Sequence, residues 1–187
     1  MNGKTISSPY AISIELWNPE PSELEGDIEM LADVLYACVH AGASVSFVLP
    51  FSHHDAEAFW REQTLPAVTA GIRLVLLARL AGRIVGTVQL DLATPPNQPH
   101  RAEVRKLLVH PHERRRRIAT SLMTVLEAEA RRERRKLLTL DTVTGGFAER
   151  LYLSLGYVEV GIIPGYALNF ASNQLEATTV MYKNLNT

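Results

Sequence analysis

The sequence predicts a mixed α/β fold with a central sheet of about 6–7 strands and about four flanking helices. Strand-like and helix-like hydrophobic periods alternate along the chain, which is one basis for this prediction. A hairpin pattern centred on 81–83 is a second, and a near-continuous apolar run over 137–141, typical of a central parallel strand, is a third. The length of 187 residues suits one domain, residues 1–187, in which 1–9 form a loose N-terminal arm.

The first part of the chain carries one strand and two helices. Alternating apolar residues predict a strand over 10–16, with Leu16 among its inward side chains. Apolar residues at helical spacing then predict a first helix that ends before Gly42. The run 52–55, Ser-His-His-Asp, has the pattern of a capping box and predicts a second helix that buries Trp60.

The remaining chain alternates strands with helices, which is the order expected of an α/β sheet. The glycine at 156 is typical of a helix C-terminus, so it ends the last helix. The two final strands are joined by a loop that contains Gly165. The predicted elements are a hairpin over 73–93, a strand over 103–109, a third helix over 119–130, a strand over 137–141, a fourth helix over 146–155, and strands over 157–163 and 178–184.

Charge and cysteine content limit the partners and the compartment. The formal net charge is −1, whereas nucleic-acid-binding domains are usually strongly basic, so no nucleic acid is expected as the main partner. Basic residues over 131–136 sit late on a helix and are interpreted as a solvated helix end. The single cysteine, Cys38, lies on an apolar helix face and is expected to be a buried thiol in a reducing compartment. Because no long apolar run or leader is seen, we expect a cytoplasmic protein without a membrane span.

The stretch 107–119 is the most informative segment, because an apolar strand end runs through an arginine-lined turn into an amphipathic helix. Such a turn directs free backbone N–H groups, the positive end of the helix dipole and guanidinium groups at one point. That arrangement suits a pyrophosphate.

This stretch resembles the acyl-CoA loop of the GCN5-related N-acetyltransferases, the GNAT superfamily, with Arg114, Arg117 and Ala119 in the slots of Arg/Gln-x-x-Gly-x-Gly/Ala. Residues 140–157 are similar to the strand, helix and Ala-x-x-Leu-Tyr-x-x-x-Gly-Phe/Tyr ending of the family. The pieces Gly-Ala-Ser-Val-x-Phe, Asp-Thr-x-x-Gly, Arg-Ala-Glu-Val and Pro-Gly-Tyr resemble more narrowly the tabtoxin-resistance acetyltransferase type.

The resemblance implies acetyl-CoA as cosubstrate, a small-molecule amine as acceptor, and a sheet whose central strands splay apart at the cofactor; it is compatible with a homodimer. It places the cofactor on the backbone of the strand before the loop, where one N–H, that of Leu108, would hold the thioester oxygen. The implied cofactor-binding residues are Leu107, Leu108, Val109, Arg114, Arg115, Arg116, Arg117, Ile118, Ala119, Thr120 and Tyr152.

Arg117 stands where the family usually has glycine. Because residues at a helix start use negative φ, we expect arginine to be tolerated there and to point outward or onto the phosphates. The alternative is that the side chain blocks the cofactor and the protein is a degenerate relative. Gly145 falls where many members carry asparagine, so no cofactor contact is assigned to it.

Three residues are candidates for catalysis. A substrate amine with a pKa of about 10.4 is mostly protonated at neutral pH, so a base must remove a proton before attack on the thioester. Glu103 and Asp141 are the two candidate bases; the alternatives are an ion pair of Glu103 with a neighbouring arginine and a cap of the glycine-rich turn by Asp141. Tyr152, which the family match places at the thioester, is the candidate general acid, with a packed aromatic as the alternative.

No metal site is expected, because the histidines at 53, 54, 110 and 112 lack acidic or cysteine partners at ligand spacing. The acceptor is expected to dock among 40–51, 94–101 and 164–177. Three functions are therefore to be distinguished: an acetyl-CoA-dependent N-acetyltransferase, a non-catalytic acyl-CoA-binding or regulatory module, and, with the least support, a nucleic-acid-binding protein.

Overall fold

The computed structural model describes residues 11–170 and 172–185; the arm predicted for 1–9 and the start of the first predicted strand lie outside the described residues. The strands are β1 (Ser13–Leu16), β2 (Arg73–Leu80), β3 (Arg83–Asp91), β4 (Arg101–Val109), β5 (Leu137–Val143), β6 (Val158–Asn169) and β7 (Gln174–Asn184). The helices are α1 (Leu24–His40), α2 (His53–Ala58), α3 (Leu65–Thr69), α4 (Ile118–Arg132) and α5 (Phe147–Ser154). A wide π-helical turn, Phe59–Thr64, joins α2 to α3, so these form one bent helical segment.

The strands form a seven-stranded sheet in the order β1-β2-β3-β4-β5-β7-β6. All neighbouring strands are antiparallel except β4 and β5, which are parallel. The parallel pair is connected through α4, as the right-handed βαβ rule leads one to expect. The predicted mixed α/β fold, with one sheet and four helical segments, is therefore confirmed.

Each face of β2 packs against a different helical layer, because alternate side chains of a strand point in opposite directions. Leu76 and Ala78 belong to the core beneath α4, whereas Val75 and Leu77 belong to the core beneath α1 and α2. The apolar period of α1 places its buried side chains on one face, as predicted: Ile28, Leu31, Leu35 and Cys38.

The predicted capping box at the start of α2 is confirmed. The Ser52 hydroxyl accepts from the N–H of Asp55 at 3.2 Å, and the Asp55 carboxylate accepts from the N–H of Ser52 at 2.8 Å. These two bonds satisfy backbone donors that a helix start leaves unpaired. The helical segment that follows buries Trp60 completely, at 0% exposure, as the sequence predicts.

Two predictions about strands are wrong. Leu16 was expected inward but is 43% exposed, and the adjacent Trp17 fills the core at 3% exposure. Gly165 was expected in a loop, but β6 continues through it to Asn169 and pairs with β7 from Gln174 onward. A bulge between Ile163 and Ala167 accommodates this glycine, whose φ is +61°. Local alternation does not register such a bulge, because it shifts the period by one residue.

Candidate functional site

A cleft opens in the sheet between β4 and β5. These parallel strands are paired over three residue pairs only, from Arg101 and Leu137 to Glu103 and Thr139. Beyond that point β5 pairs along its other edge with β7, whereas the described residues offer no strand partner to this edge of β4. The edge of β4 facing β5 is therefore available to an extended ligand that can pair with it as an added strand would.

The carboxyl end of β4 leads through a short turn, Pro111–Glu113, into the N-terminus of α4. The first α-helical bond of α4 runs from the N–H of Ser121 to the carbonyl of Arg117 at 3.0 Å. Within the described chain no side chain caps this helix start, so its first-turn N–H groups point outward without that partner. A cavity of about 300 Å³ adjoins them, lined by Val109, Glu113, Arg114, Arg115, Arg117, Ile118 and Ala119.

This cavity has the chemistry of an anion site. Three arginines line it beside the positive end of a helix of 15 residues, which is an arrangement that favours phosphate groups. The acid in its lining, Glu113, is offset by Arg116, whose Nη1 lies 2.8 Å from its carboxylate. The residues present therefore fit a diphosphate.

The expectation that Arg117 adopts a negative φ is wrong. Its φ is +59°, in the left-handed region, and Arg115 two residues earlier has a φ of +64°. The chain reverses twice before α4 begins, and a residue in such a turn commonly needs positive φ. This explains why glycine suits the position, since a non-glycine residue there costs about 1–2 kcal/mol.

The other predicted loop residues are distributed unevenly. Arg114 lies at the cavity and its Nε donates to the carbonyl of Val109 at 3.4 Å. Arg116 is not part of the cavity lining and pairs with Glu113, which is. The side chain of Ile118 is in the core at 2% exposure, so only its backbone faces the cavity. The remaining predicted contacts, Leu107, Leu108 and Thr120, do not line this cavity.

Gly86 of β3 sets the distance between the loop and the sheet. A Cβ at this position would lie 2.9 Å from the carbonyl oxygen of Leu108 and 3.2 Å from Cγ2 of Ile118. Only glycine lets the end of β4 and the start of α4 approach β3 this closely. This position was not singled out in the sequence, although a glycine inside a strand pattern is a recognised sign of close backbone approach.

Both candidate bases lie on the face of the sheet opposite α4. Their neighbours Val104 and Leu140 are buried in the core beneath α4, and side chains alternate, so Glu103 and Asp141 project the other way. The Glu103 carboxylate lies 3.7 Å from Nε of Arg105, which is the ion pair considered as its alternative role. We name this surface, formed by Glu103, Arg105, Lys106 and Asp141, the acceptor face.

Asp141 does not cap the glycine-rich turn. Its Oδ2 accepts from the Thr178 hydroxyl at 3.0 Å, while the N–H of Gly145 donates to Glu149 at 2.8 Å. The side chain of Asp141 is exposed, and its negative charge acts on Lys106 of β4 and on Tyr152 of α5.

Arg105 is tied to a buried carboxylate on the same face. Asp91 accepts from Arg73 at 2.7 Å and from Arg105 at 3.2 Å. Burial opposes ionisation of Asp91, but the bonds from Arg73, the N–H of Ala93 and Arg105 outweigh it and lower its pKa. This network fixes Arg105 at the edge of the cleft.

Lys106 is a site residue that the sequence reasoning missed. It has a φ of +50° at a bulge where β4 shifts register against β3. Its Nζ donates to the carbonyl of Val45 at 2.6 Å, in the loop between α1 and α2. The successive charged residues Arg105 and Lys106 were the available signal, because they break the alternation of polar and apolar residues over 101–105.

Tyr152 on α5 is 6% exposed and packs with its ring centroid 5.5 Å from that of Tyr157. Burial, together with the negative charge of Asp141, raises the pKa of Tyr152 well above its usual range. The phenol therefore keeps its proton at neutral pH and can act as a hydrogen-bond donor.

Cys38 is structural, as expected, but the basic segment 131–136 is only in part a solvated helix end, because α4 ends at Arg132. Cys38 is 1% exposed, and burial raises the pKa of its thiol. In the basic segment after α4, Arg135 donates to the carbonyl of Pro99 at 2.6 Å, so it fastens the 94–101 loop at the closed end of the cleft. Across residues 11–170 and 172–185, no cluster of three metal-ligating side chains occurs, and no helix has the length and apolarity to cross a membrane.

The split between β4 and β5 lies beside the N-terminus of α4. These two features together suit a class of protein that binds a phosphate-bearing cosubstrate between the strands. The chain belongs to the acetyltransferase (GNAT) family, whose model matches residues 37–157. Acetyl-CoA is accordingly its cosubstrate. An uncharacterized N-acetyltransferase of the hisH–hisA intergenic region of Azospirillum brasilense is 30% identical over 118 residues, which are 62% of this chain and 68% of that protein.

Solved structures share the fold at low identity. The structure of yncA from Salmonella typhimurium, determined with its cofactor acetyl-CoA, has a TM-score of 0.75 and 18% identity, covering 94% of this chain and 95% of that one. A ribosomal-protein-alanine N-acetyltransferase from Brucella melitensis has a TM-score of 0.76 and 21% identity, covering 92% and 99%. At these identities the likeness establishes the fold, and the acceptor has to be argued from the site.

Proposed function

We propose that this protein transfers the acetyl group of acetyl-CoA to a primary amine of a small molecule, by direct attack of the amine in a ternary complex. The observation that carries the proposal is the cleft itself: an unpaired strand edge, a cationic helix start and two carboxylates occur together. Amino-acid-like toxins and antibiotics are the acceptors to test first, because the sequence resembles the tabtoxin-resistance type.

The diphosphate of the cosubstrate would be held at 114–120, by the free N–H groups of α4 and by Arg114, Arg115 and Arg117. The free edge of β4 at 107–109 would pair with the amides of the pantetheine arm. Acetyl-CoA supplies a thioester. The N–H of Leu108 was the expected donor to its oxygen, but the N–H of His110 donates to the carbonyl of Val85 at 2.9 Å, and alternation along β4 turns the N–H of Leu108 toward β3 as well. The N–H groups of Leu107 and Val109 face the free edge, and one of them is the proposed donor. Loss of one such donor typically costs about 3–4 kcal/mol of barrier.

Glu103 and Asp141 are the proposed bases of the acceptor face. Their carboxylates attract the substrate ammonium and accept its proton directly or through water. Asp141 is the more accessible candidate, because its side chain is exposed and, among the described residues, it accepts a hydrogen bond from the Thr178 hydroxyl alone. Glu103 lies 3.7 Å from Nε of Arg105, so part of its negative charge is already offset by that neighbour.

Tyr152 is the proposed donor to the leaving thiolate. A free thiol has a pKa of about 8.5, and the raised pKa of Tyr152 makes complete proton transfer to the thiolate unfavourable. We therefore assign Tyr152 a hydrogen bond that stabilises the departing sulfur, with the proton delivered by solvent afterwards.

The first test is calorimetry with acetyl-CoA, followed by an acetyl-transfer screen against amino acids, polyamines, aminoglycosides and amino-acid toxins. Absence of both heat and a thermal shift at millimolar acetyl-CoA would eliminate the proposal. Tyr152→Phe is expected to lower turnover about 100-fold while leaving cofactor affinity nearly unchanged. Tyr157→Phe removes a neighbouring buried hydroxyl and serves as the control; equal turnover in the two variants would reassign Tyr152 to packing.

The second candidate is an acyl-CoA-binding or regulatory module that carries out no transfer. Arg117 in a left-handed conformation at the cavity is the observation that favours it, because its side chain occupies space that glycine would leave free. Acetyl-CoA binding without transfer across the whole amine panel would select this function. The homodimer and the reducing, cytoplasmic compartment stay predictions, to be tested by light scattering and by fractionation.

A further inference from the structure

Lys106 is a partly buried cation on the acceptor face that the proposed chemistry does not use. The bulge in β4 gives this residue a φ of +50° and turns it to the same side of the sheet as Arg105. In a regular strand, neighbouring residues would point to opposite faces. The backbone is thus distorted in a way that brings two cations together at the cleft.

The ammonium group of Lys106 is short of acceptors. A lysine carries three N–H donors, and among the described residues this one has a single hydrogen-bond acceptor, the carbonyl of Val45 at 2.6 Å. The rings of Phe47 and Phe59 lie 5.1 and 5.9 Å from Nζ and offer their π faces. Among the described residues, no carboxylate lies within salt-bridge distance of Lys106, unlike Arg73, Arg79 and Arg105.

The surroundings of Lys106 disfavour its protonated form. Burial, with the nearby charges of Arg105 and Arg73 and against that of Asp141, lowers the pKa of Lys106 to about 8. At neutral pH the group is still mainly protonated. A negative ligand beside it would offset both the burial and the repulsion, so this position favours an anion.

The same face carries charges of both signs in an order that suits a zwitterion. Asp141 and Glu103 border the cleft at β5 and at the start of β4, where a substrate ammonium would lie. Arg105 and Lys106 follow on β4. We propose that Lys106, supported by Arg105, binds the carboxylate of the acceptor, so that the acceptor is an amino acid or a close analogue; this rests on the proposed function of the acceptor face.

The kinetic test compares amines that differ only in that carboxylate. The wild-type protein is expected to acetylate α-amino acids with at least about tenfold higher kcat/KM than their carboxamides, as a charge-assisted hydrogen bond would provide. Lys106→Met should abolish this preference by raising KM for the α-amino acid. Its kcat/KM for the carboxamide should stay close to that of the wild type. Lys106→Arg should restore most of it, and Lys136→Met, which changes an exposed lysine outside the site, should resemble the wild type.

Binding is measured separately from catalysis by NMR of the lysine side chains, of which the sequence has four. Adding a mixture of α-amino acids should raise the pKa of Lys106 by about one unit, and the matching carboxamides should leave it unchanged. A pKa shift without transfer would refute the enzymatic proposal and support the carboxylate site. Equal transfer to acids and amides, or an unshifted Lys106, would overturn the carboxylate site and leave the enzymatic proposal intact.

Discussion

The two halves of the sheet are covered differently. Strands β2 to β4 have helices on both faces, with α4 on one side and α1 on the other. Strands β5 and β7 are covered on the α4 side, where Leu140 and Met181 are buried, but their opposite face exposes Tyr182 at 37%. The edge strand β6 is exposed along most of its length, with Val158 at 48%. Half of the sheet thus serves as a two-sided core, and the other half presents a surface next to the cleft.

The comparison is tested most strongly by one leucine from each half. Leu77 is 1% exposed between the sheet and α1, whereas Leu175 on β7 is 67% exposed. Leu77→Ala should lower the free energy of unfolding by about 2–5 kcal/mol, because it removes buried methyl groups and leaves a cavity. Leu175→Ala should change it by about 0.5 kcal/mol or less. Urea denaturation of the two variants measures this, and similar losses would contradict the asymmetry.

A matched pair of glycines gives the next largest effect. Gly86→Ala places a methyl group against the carbonyl of Leu108 and should cost about 1–3 kcal/mol of stability while disturbing the loop before α4. Gly161→Ala on β6 meets no atom within 4 Å and should be nearly neutral. Thermal denaturation and acetyl-CoA affinity are the measurements; a tolerant Gly86 would mean that β3 and α4 can separate without loss.

The acceptor face should also respond to pH. Since the folded-state pKa of Lys106 is about 8 and its usual value is 10.5, the unfolded chain binds more protons between these values. Stability should therefore rise with pH through that window, by about 2 kcal/mol between pH 7 and pH 9.5, and Lys106→Met should lack this contribution. Unfolding curves at pH 7 and pH 9.5 for both proteins test the sign, and a fall specific to the wild type would contradict it.

The smallest predicted effect concerns the turn before α4. Arg117→Gly should raise the free energy of unfolding by about 0.5–1 kcal/mol, because relief of the positive φ exceeds the added backbone entropy of glycine. Arg116→Gly gains no such relief, loses the contact with Glu113, and should be destabilising. Opposite signs in chemical denaturation would support the assignment, whereas two losses would argue against strain at Arg117.

The helices and most strands were predictable because burial imposes a period that is visible in the sequence. The apolar residues of α1 and the capping box at Ser52 depend only on neighbours in the chain. The β6–β7 hairpin was underestimated because its residues near Gly165 are exposed and bulged, which removes the alternation. Leu16 was assigned inward by extending a short alternation to the end of an edge strand.

The candidate site was predictable in composition more than in geometry. Glu103 and Asp141 could be paired because adjacent parallel strands bring their residues to one face. The conformation of Arg117 was assigned with the wrong sign, because a helix start predicts negative φ while the preceding turn requires positive φ. Lys106 was missed because a bulge depends on how β3 and β4 pair, which the local pattern does not specify.

The short pairing between β4 and β5 has a consequence for the thermal stability of the protein. Backbone N–H and C=O groups that could pair β4 with β5 remain available to a bound ligand. Binding of acetyl-CoA therefore raises the free energy of unfolding by RT ln(1 + [L]/Kd), where [L] is the concentration of free acetyl-CoA. At a concentration one hundred times Kd this amounts to about 2.7 kcal/mol. The melting temperature in a cell would then follow the supply of the acetyl donor, and starvation for that metabolite would expose the chain to unfolding.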